Sequence, residues 1–477
     1  MTFMQKTIRE LAPLIQSKAL SPVELTQNCF RQIEKTEPAI HAYITILQEQ
    51  ALQAAAQAEQ EIMQGKYRGI LHGIPYSAKD LYLTKDIRTT AGSEILSENI
   101  PDYNATVIEH LNRAGAILVG KNNLHEFAYG TTNENEYFGP SHNPWNTEMI
   151  PGGSSGGSAA SVAAWSSLFS LGTDTGGSIR IPAALCGVVG LKPTYGRVSK
   201  RGVIPLSWSQ DHTGPLAKTV WDTAAVLAAI AGYDAQDPAS ANHSVPDYLK
   251  LLQTADQVQL KGLTIGICSE YYAGILHPDI EQSFQQVLQW FEACGAKLCE
   301  VSYPSKKLCS IRTIISMAEA YAYHAAYLET CPEKYGDNVR QRLEKGQFLP
   351  AHAYINALRL RRQDMQEWGN LYQNIDLFLS PTTVVPAFPI GQPTIYCGKE
   401  RVDPRVHGTL MLITALSDLN GYPAISLPCG FTGDGLPIGV QIQGKPFAEG
   451  RLLQIAYLYE QAHSYTSAIP PLCCSGK

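Results

Sequence analysis

Two loops hold the residues of this chain whose types and spacing suit chemistry. They are Pro151-Gly-Gly-Ser-Ser-Gly-Gly-Ser-Ala-Ala160 and Leu171-Gly-Thr-Asp-Thr-Gly-Gly-Ser-Ile-Arg180. Glycine permits positive φ and lets a backbone approach a ligand closely. A turn built on paired glycines can aim successive N–H groups at one point, which makes an anion-binding nest. Here that point would lie beside serine hydroxyls. Acyl transfer needs this pairing, because negative charge develops on the carbonyl oxygen as a hydroxyl attacks.

Other uses of such loops can be weighed on the same residues. Gly/Ser runs often serve as flexible linkers, yet apolar segments lie on both sides here and Gly-Gly-Ser recurs at Gly176-Gly177-Ser178. A phosphate loop needs a lysine after its last glycine, and Ser158 follows Gly157; the dinucleotide pattern G-x-G-x-x-G is absent. On the residues alone, a catalytic loop and a structural Gly-rich loop both stay open.

Composition narrows the class. The chain has 477 residues, 44% hydrophobic and 17% charged, with a formal net charge of −6. That length allows two or three average domains or one large α/β domain. Scattered charge of mildly acidic balance gives no footprint for nucleic acid or an anionic membrane. The first ten residues lack a signal-peptide core, and no apolar run approaches the span of a bilayer. A soluble cytoplasmic protein is expected. Eleven cysteines are dispersed, without C-x-x-C spacing, and Cys473-Cys474 fall at an end expected to fray. Reduced thiols, no metal site and no cofactor are expected.

The elements that must position the loops alternate in period. Residues 5 to 64 read as helices, with Ser21-Pro22-Val23-Glu24 as a capping box. Leu71 to Asp80 is a short apolar run that reads as a buried strand carrying Lys79 near its end. Thr106 to Ala114 is helical and Ala116 to Gly120 a strand, a βαβ-like rhythm. The run Ala159 to Leu171 suits a closely packed helix. Cys186 to Lys192 reads as a strand, and Thr219 caps a helix ending near Gly232. Strands follow at Leu263 to Cys268, Ala296 to Tyr303, Ile375 to Ser380, Ala424 to Pro428 and Ile438 to Gln443. A helix is expected over about 278–294, helical and aromatic-rich sequence over 305–373, and a closing helix over about 449–461. No linker divides this rhythm, so one domain over 1–477 is expected.

Lys79, the two loops, Gly73-Ile-Pro75 and Gly187-Val-Val-Gly-Leu-Lys-Pro193 together resemble the amidase signature family. The blocks occur in family order, with matching spacing from lysine to first and second serine. The likeness divides the chain into a helical segment (about 1–65), a signature core (about 66–235), a less typical region (about 240–400) and a sheet-completing block (about 420–465). It implies an α/β fold with a central mixed β-sheet covered by helices on both faces. It also implies a catalytic triad of Lys79, Ser154 and Ser178, with a cis peptide joining Gly153 to Ser154. Ser178 would be the nucleophile, its proton passing through Ser154 to Lys79. A lysine can act as that base only when neutral, so burial must lower its pKa. Thr175, Gly176, Gly177 and Ser178 would form the oxyanion hole, and Tyr129, Gly130 and Thr131 would border the substrate. Asp174 and Arg180 would orient the loop. Ser155 is then a neighbour and Ser158 a helix-start residue.

Two activities fit the resemblance. One is a free amidase acting on small carboxylic amides, for which a homodimer is one possible state. The other is the glutaminase subunit of a tRNA-dependent amidotransferase, which works with partner subunits. Thr194-Tyr-Gly-Arg197 and Gly444-Lys-Pro-Phe447 resemble the subunit. Where the subunit carries an acidic residue to read glutamine, this chain has Met411, and a neighbouring asparagine is Asp418. Losing that carboxylate leaves the substrate ammonium unpaired, which is costly. Arg361 reads as a surface helix arginine. The free amidase is the expectation; a catalytically silent scaffold of the same fold remains an alternative.

Overall fold

The computed structural model describes residues 5–302 and 305–474. Met1 to Met4 and Tyr303, the last residue of an expected strand, lie outside them. Eleven strands form one sheet. From the first half of the chain come β1 Tyr43–Ile46, β2 Pro75–Lys79, β3 Ile117–Asn122, β4 Phe169–Asp174, β5 Val189–Lys192 and β6 His212–Ala217. From the second come β7 Thr264–Ile267, β8 Lys297–Glu300, β9 Leu377–Pro381, β12 Ala424–Phe431 and β13 Pro437–Gln443. The hairpin strands β10 Ile395–Cys397 and β11 Glu400–Val402 form a separate ladder.

The order across the sheet is β1-β3-β2-β4-β6-β5-β12-β13-β9-β7-β8. Strand β2 runs parallel to β3 and β4, and β7 parallel to β8 and β9; the other pairs are antiparallel. The fold is therefore mixed α/β, with helices flanking the sheet. Its central strands β4, β5, β6 and β13 are buried at every residue, so side chains of both faces lie under helices. Strands β12 and β13, late in sequence, sit between β5 and β9 and tie the two ends of the chain into one core.

Several local expectations change. The run Ala159 to Leu171 is not one helix. A helix covers only Gly156–Ala163, and β4 begins at Phe169. Trp165 takes a φ of 60° and closes the helix as a left-handed residue would, sending the chain back into the sheet. Strands β1 and β6 and the helix Arg180–Cys186 were not expected. Their sequences, Tyr-Ile-Thr-Ile and His-Thr-Gly-Pro-Leu-Ala, carry weak period, and tertiary pairing forms them. Ser21 does cap the helix Pro22–Ile40, accepting from Val23 and Glu24 N–H, but the full reciprocal box lies at Thr7 and Glu10. Cys473 is not frayed. Its thiol is buried and donates to the Ala164 carbonyl at 3.4 Å. Arg361 is no surface arginine either: it is partly buried and donates to the Leu419 and Ser209 carbonyls.

Candidate active site

The site forms where three elements end close together. Lys79 is the last residue of β2, and β4 runs beside it in parallel, with Ala78 opposite Leu171. The second loop leaves β4 at Asp174, while the first precedes the helix Gly156–Ala163 that packs on β4. Both loops thus fall at the strand ends beside Lys79. Sheet pairing, not loop composition, brings them together.

Lys79 is fully buried. Its Nζ lies 2.7 Å from Ser154 Oγ and 2.8 Å from Thr173 Oγ1. Burial pushes its pKa down to about 7, against the opposing pull of Asp174 and Asp211. Near neutral pH the amine is therefore partly deprotonated and can take a proton. The Gly153–Ser154 peptide is cis. The two loops are stitched by the Ser155 N–H, which donates to the Ser178 carbonyl at 3.2 Å, and by Ser155 Oγ, which donates to the Thr173 carbonyl. Ser158 lies in the first helical turn, its hydroxyl donating to the Leu171 carbonyl.

Asp174 and Arg180 hold the second loop in shape. Asp174 accepts from Gly177 N–H at 2.6 Å and Ile179 N–H at 3.1 Å, and pairs with the Arg180 guanidinium at 2.9 Å. Arg180 also pairs with Asp418 at 2.7 Å and donates to Ser417, Gln441 and the Thr414 carbonyl. Arg180 holds the Asp174 carboxyl below the usual range despite burial. Burial and the neighbouring Asp174 charge push Asp418 up. Gly177 takes a φ of 125°, and a Cβ there would meet Thr414 Oγ1 at 2.2 Å, so glycine is required. Its N–H is spent on Asp174. The N–H groups of Thr175, Gly176 and Ser178 have no partner among the described residues and remain available to a carbonyl oxygen. Ser178 Oγ likewise makes no hydrogen bond among the described residues, and none joins it to Ser154.

Ser178 opens into a cavity of about 300 Å³. Tyr129, Gly130 and Thr131 line it, as do Thr175 and Gly176; Gly130 packs so closely on the His125 ring that a Cβ would sit 2.2 Å from it. Leu206, Met317, Met411, Leu412 and Ala415 add apolar wall. Met411 thus faces the substrate space, while Asp418 is turned inward onto Arg180. Four further lining residues were not anticipated: Arg312, Arg342, Lys345 and Arg405. Three of them come from helices Ser305–Thr330 and Asp337–Gly346, in sequence that carries no catalytic pattern. Only the fold collects these cations.

The sequence matches the model of the family described as Amidase over residues 24–453. The A subunit of glutamyl-tRNA(Gln) amidotransferase from Carboxydothermus hydrogenoformans is 40% identical over 489 residues, with 97% of this chain and 98% of that protein covered. The structure of the A subunit from Thermotoga maritima superposes with a TM-score of 0.81 at 33% identity, covering 100% of this chain and 99% of that one. A chain described in connection with the evolutionary origins of an s-triazine catabolic enzyme superposes at 0.91 with 31% identity, covering 98% of this chain and all of that one.

Proposed function

The chain belongs to the Amidase family and is a hydrolase of amide C–N bonds, and from that premise we propose that Ser178 is its nucleophile, with Lys79 the base and Ser154 the relay. The observation that carries the reading is a fully buried lysine with a pKa near 7, in hydrogen-bond contact with a serine of the Gly/Ser loop. Ser178 Oγ attacks the amide carbon as its proton moves through Ser154 to Lys79. The developing oxyanion is met by the N–H groups of Thr175, Gly176 and Ser178, held by the Asp174–Arg180 brace. The proton returns to the departing amine, leaving an acyl-Ser178 ester. Water then attacks that ester by the same path in reverse and releases the acid. The relay requires the Ser178 and Ser154 hydroxyls to come within hydrogen-bond reach as the amide binds.

Of the two finer readings, similarity along the whole chain supports the amidotransferase A subunit better than the free amidase. That reading assigns the chain partner subunits and glutamine as ammonia donor. One observation favours the free amidase: among the described residues, no carboxylate lines the cavity to pair with the ammonium of glutamine. The experiment is to assay amides, glutamine included, with the chain alone and with any co-purifying subunits and tRNA. Glutamine turnover that depends on partners supports the subunit; turnover of other amides by the chain alone supports the free amidase. We also read the whole chain as one domain, because β12 and β13 complete the sheet from within.

A further inference from the structure

We infer that the substrate of this site is an amide bearing a free carboxylate, and no ammonium group, within a few bonds of the scissile C–N bond, with Arg312 as its principal partner. The inference rests on the reading of Ser178 as nucleophile and, of the two finer readings, on the free amidase, whose substrate class it names.

Arg312 is 7% exposed and lines the cavity. A guanidinium carries five N–H donors. Among the described residues Arg312 makes one side-chain hydrogen bond, a long one of 3.5 Å from Nε to the Thr175 carbonyl, and has no acidic partner. A buried cation with unmet donors is costly unless an anion completes it. Its position decides which anion. The guanidinium lies against Gly176, where a Cβ would come within 2.9 Å of Nη2, two residues before Ser178. A ligand held there therefore sits beside the loop that carries the nucleophile.

The other charged residues of the wall have the same sign. Arg342 donates to the Tyr129 carbonyl and to Asn338, and Lys345 lies one helical turn further on. Arg405 alone is neutralised, by Glu134 at 3.1 Å. Among the described residues, no Asp or Glu lines the cavity. Such a wall favours a planar carboxylate, which Arg can grip through two parallel hydrogen bonds. It gives an ammonium group nothing to pair with. A simple monoamide of a short dicarboxylic acid fits; a zwitterionic amino-acid amide meets one favourable and one unfavourable contact. In the reaction water adds across the C–N bond, giving a second carboxylic acid and a free amine, and the recognised carboxylate is unchanged.

The test uses the full chain with any subunits that co-purify. Values of kcat/KM are measured for succinamate and glutaramate (carboxylate on the acyl side), N-acetylglycine (carboxylate on the amine side), butyramide and glutamine. One carboxylated class should exceed both butyramide and glutamine by roughly tenfold to a hundredfold, the worth of a charge-assisted hydrogen bond. Arg312→Met should collapse that preference mainly through KM, and Arg312→Lys should restore part of it. Butyramide or glutamine matching the best carboxylated amide would overturn the inference, as would Arg312→Met reducing all substrates equally. Binding of succinamate and butyramide to Ser178→Ala gives a readout independent of turnover, with tighter binding of succinamate expected. No hydrolysis of any amide, with succinamate still bound selectively, would count against the nucleophile and not against the carboxylate site.

Discussion

Lys79 Nζ stands 2.7 Å from Ser154 Oγ with both residues fully buried. Desolvation is what makes this contact useful. In water the amine would be protonated at neutral pH and could only donate; buried, with its pKa near 7, it can accept. Strand β2 delivers the lysine and the first Gly/Ser loop delivers the hydroxyl.

The first expectation is a pH–rate limb. The value of kcat/KM should rise with pH through about 7 as Lys79 loses its proton, then level off. Rate profiles on a neutral amide measure it. A rate indifferent to pH between about 5 and 9 would assign the base elsewhere.

Stability should respond in a linked way. The folded pKa of Lys79 lies below the unfolded value, so the unfolded chain binds more protons between about 7 and about 10.4. Stability from this group is therefore lowest below about pH 7 and recovers as pH rises to the unfolded pKa. Lys79→Met removes the penalty. It should raise the urea midpoint at pH 7, with the gain fading at alkaline pH, while activity is lost. A midpoint lowered at every pH would contradict the account.

The brace under the second loop gives a third expectation. Asp174→Ala leaves the Arg180 guanidinium without one of its two buried carboxylates and frees the Gly177 and Ile179 N–H groups. Breaking a buried pair from one side costs roughly 3–5 kcal/mol. Denaturant unfolding should register a loss of that order, with activity falling because the loop loses its shape. A loss under about 1 kcal/mol would mean that Asp418 alone holds Arg180.

The residues proposed as the triad could be picked out because Ser154 and Ser178 sit in contiguous, glycine-marked blocks whose order survives in one dimension; the structure puts Lys79 in contact with Ser154. The strands Pro75–Lys79 and Ile117–Asn122 and the helix Thr106–Ala114 were legible for a related reason: their apolar period is strong and Gly115 ends the helix in a left-handed cap. Strand β6 and the helix Arg180–Cys186 were not, since Gly214 and Pro215 mask one and Pro182 the other; sheet pairing forms them. The cationic wall was illegible for the opposite reason. Arg312, Arg342, Lys345 and Arg405 look like solvated charges one at a time, and only three-dimensional packing turns them into one surface.

Partner dependence separates the two finer readings. If the chain works as an amidotransferase A subunit, affinity purification from its native cell should bring down companion subunits, and glutamine turnover should rise severalfold when they and tRNA are added. Met411→Asp, which restores an acidic group to the cavity wall, should then improve KM for glutamine by roughly tenfold. No change in glutamine KM in Met411→Asp would place the ammonium elsewhere.

The central claim, acyl transfer through Ser178, is tested most directly by trapping the ester. The protein is treated with a fluorophosphonate or a slowly turned-over amide, digested and sequenced by mass spectrometry. The account predicts one adduct, on the peptide containing Ser178, absent in Ser178→Ala, whose turnover falls on the order of 10⁴-fold or more while the fold is retained. An adduct on Ser154 or Ser155, or Ser178→Ala retaining wild-type turnover, would contradict it.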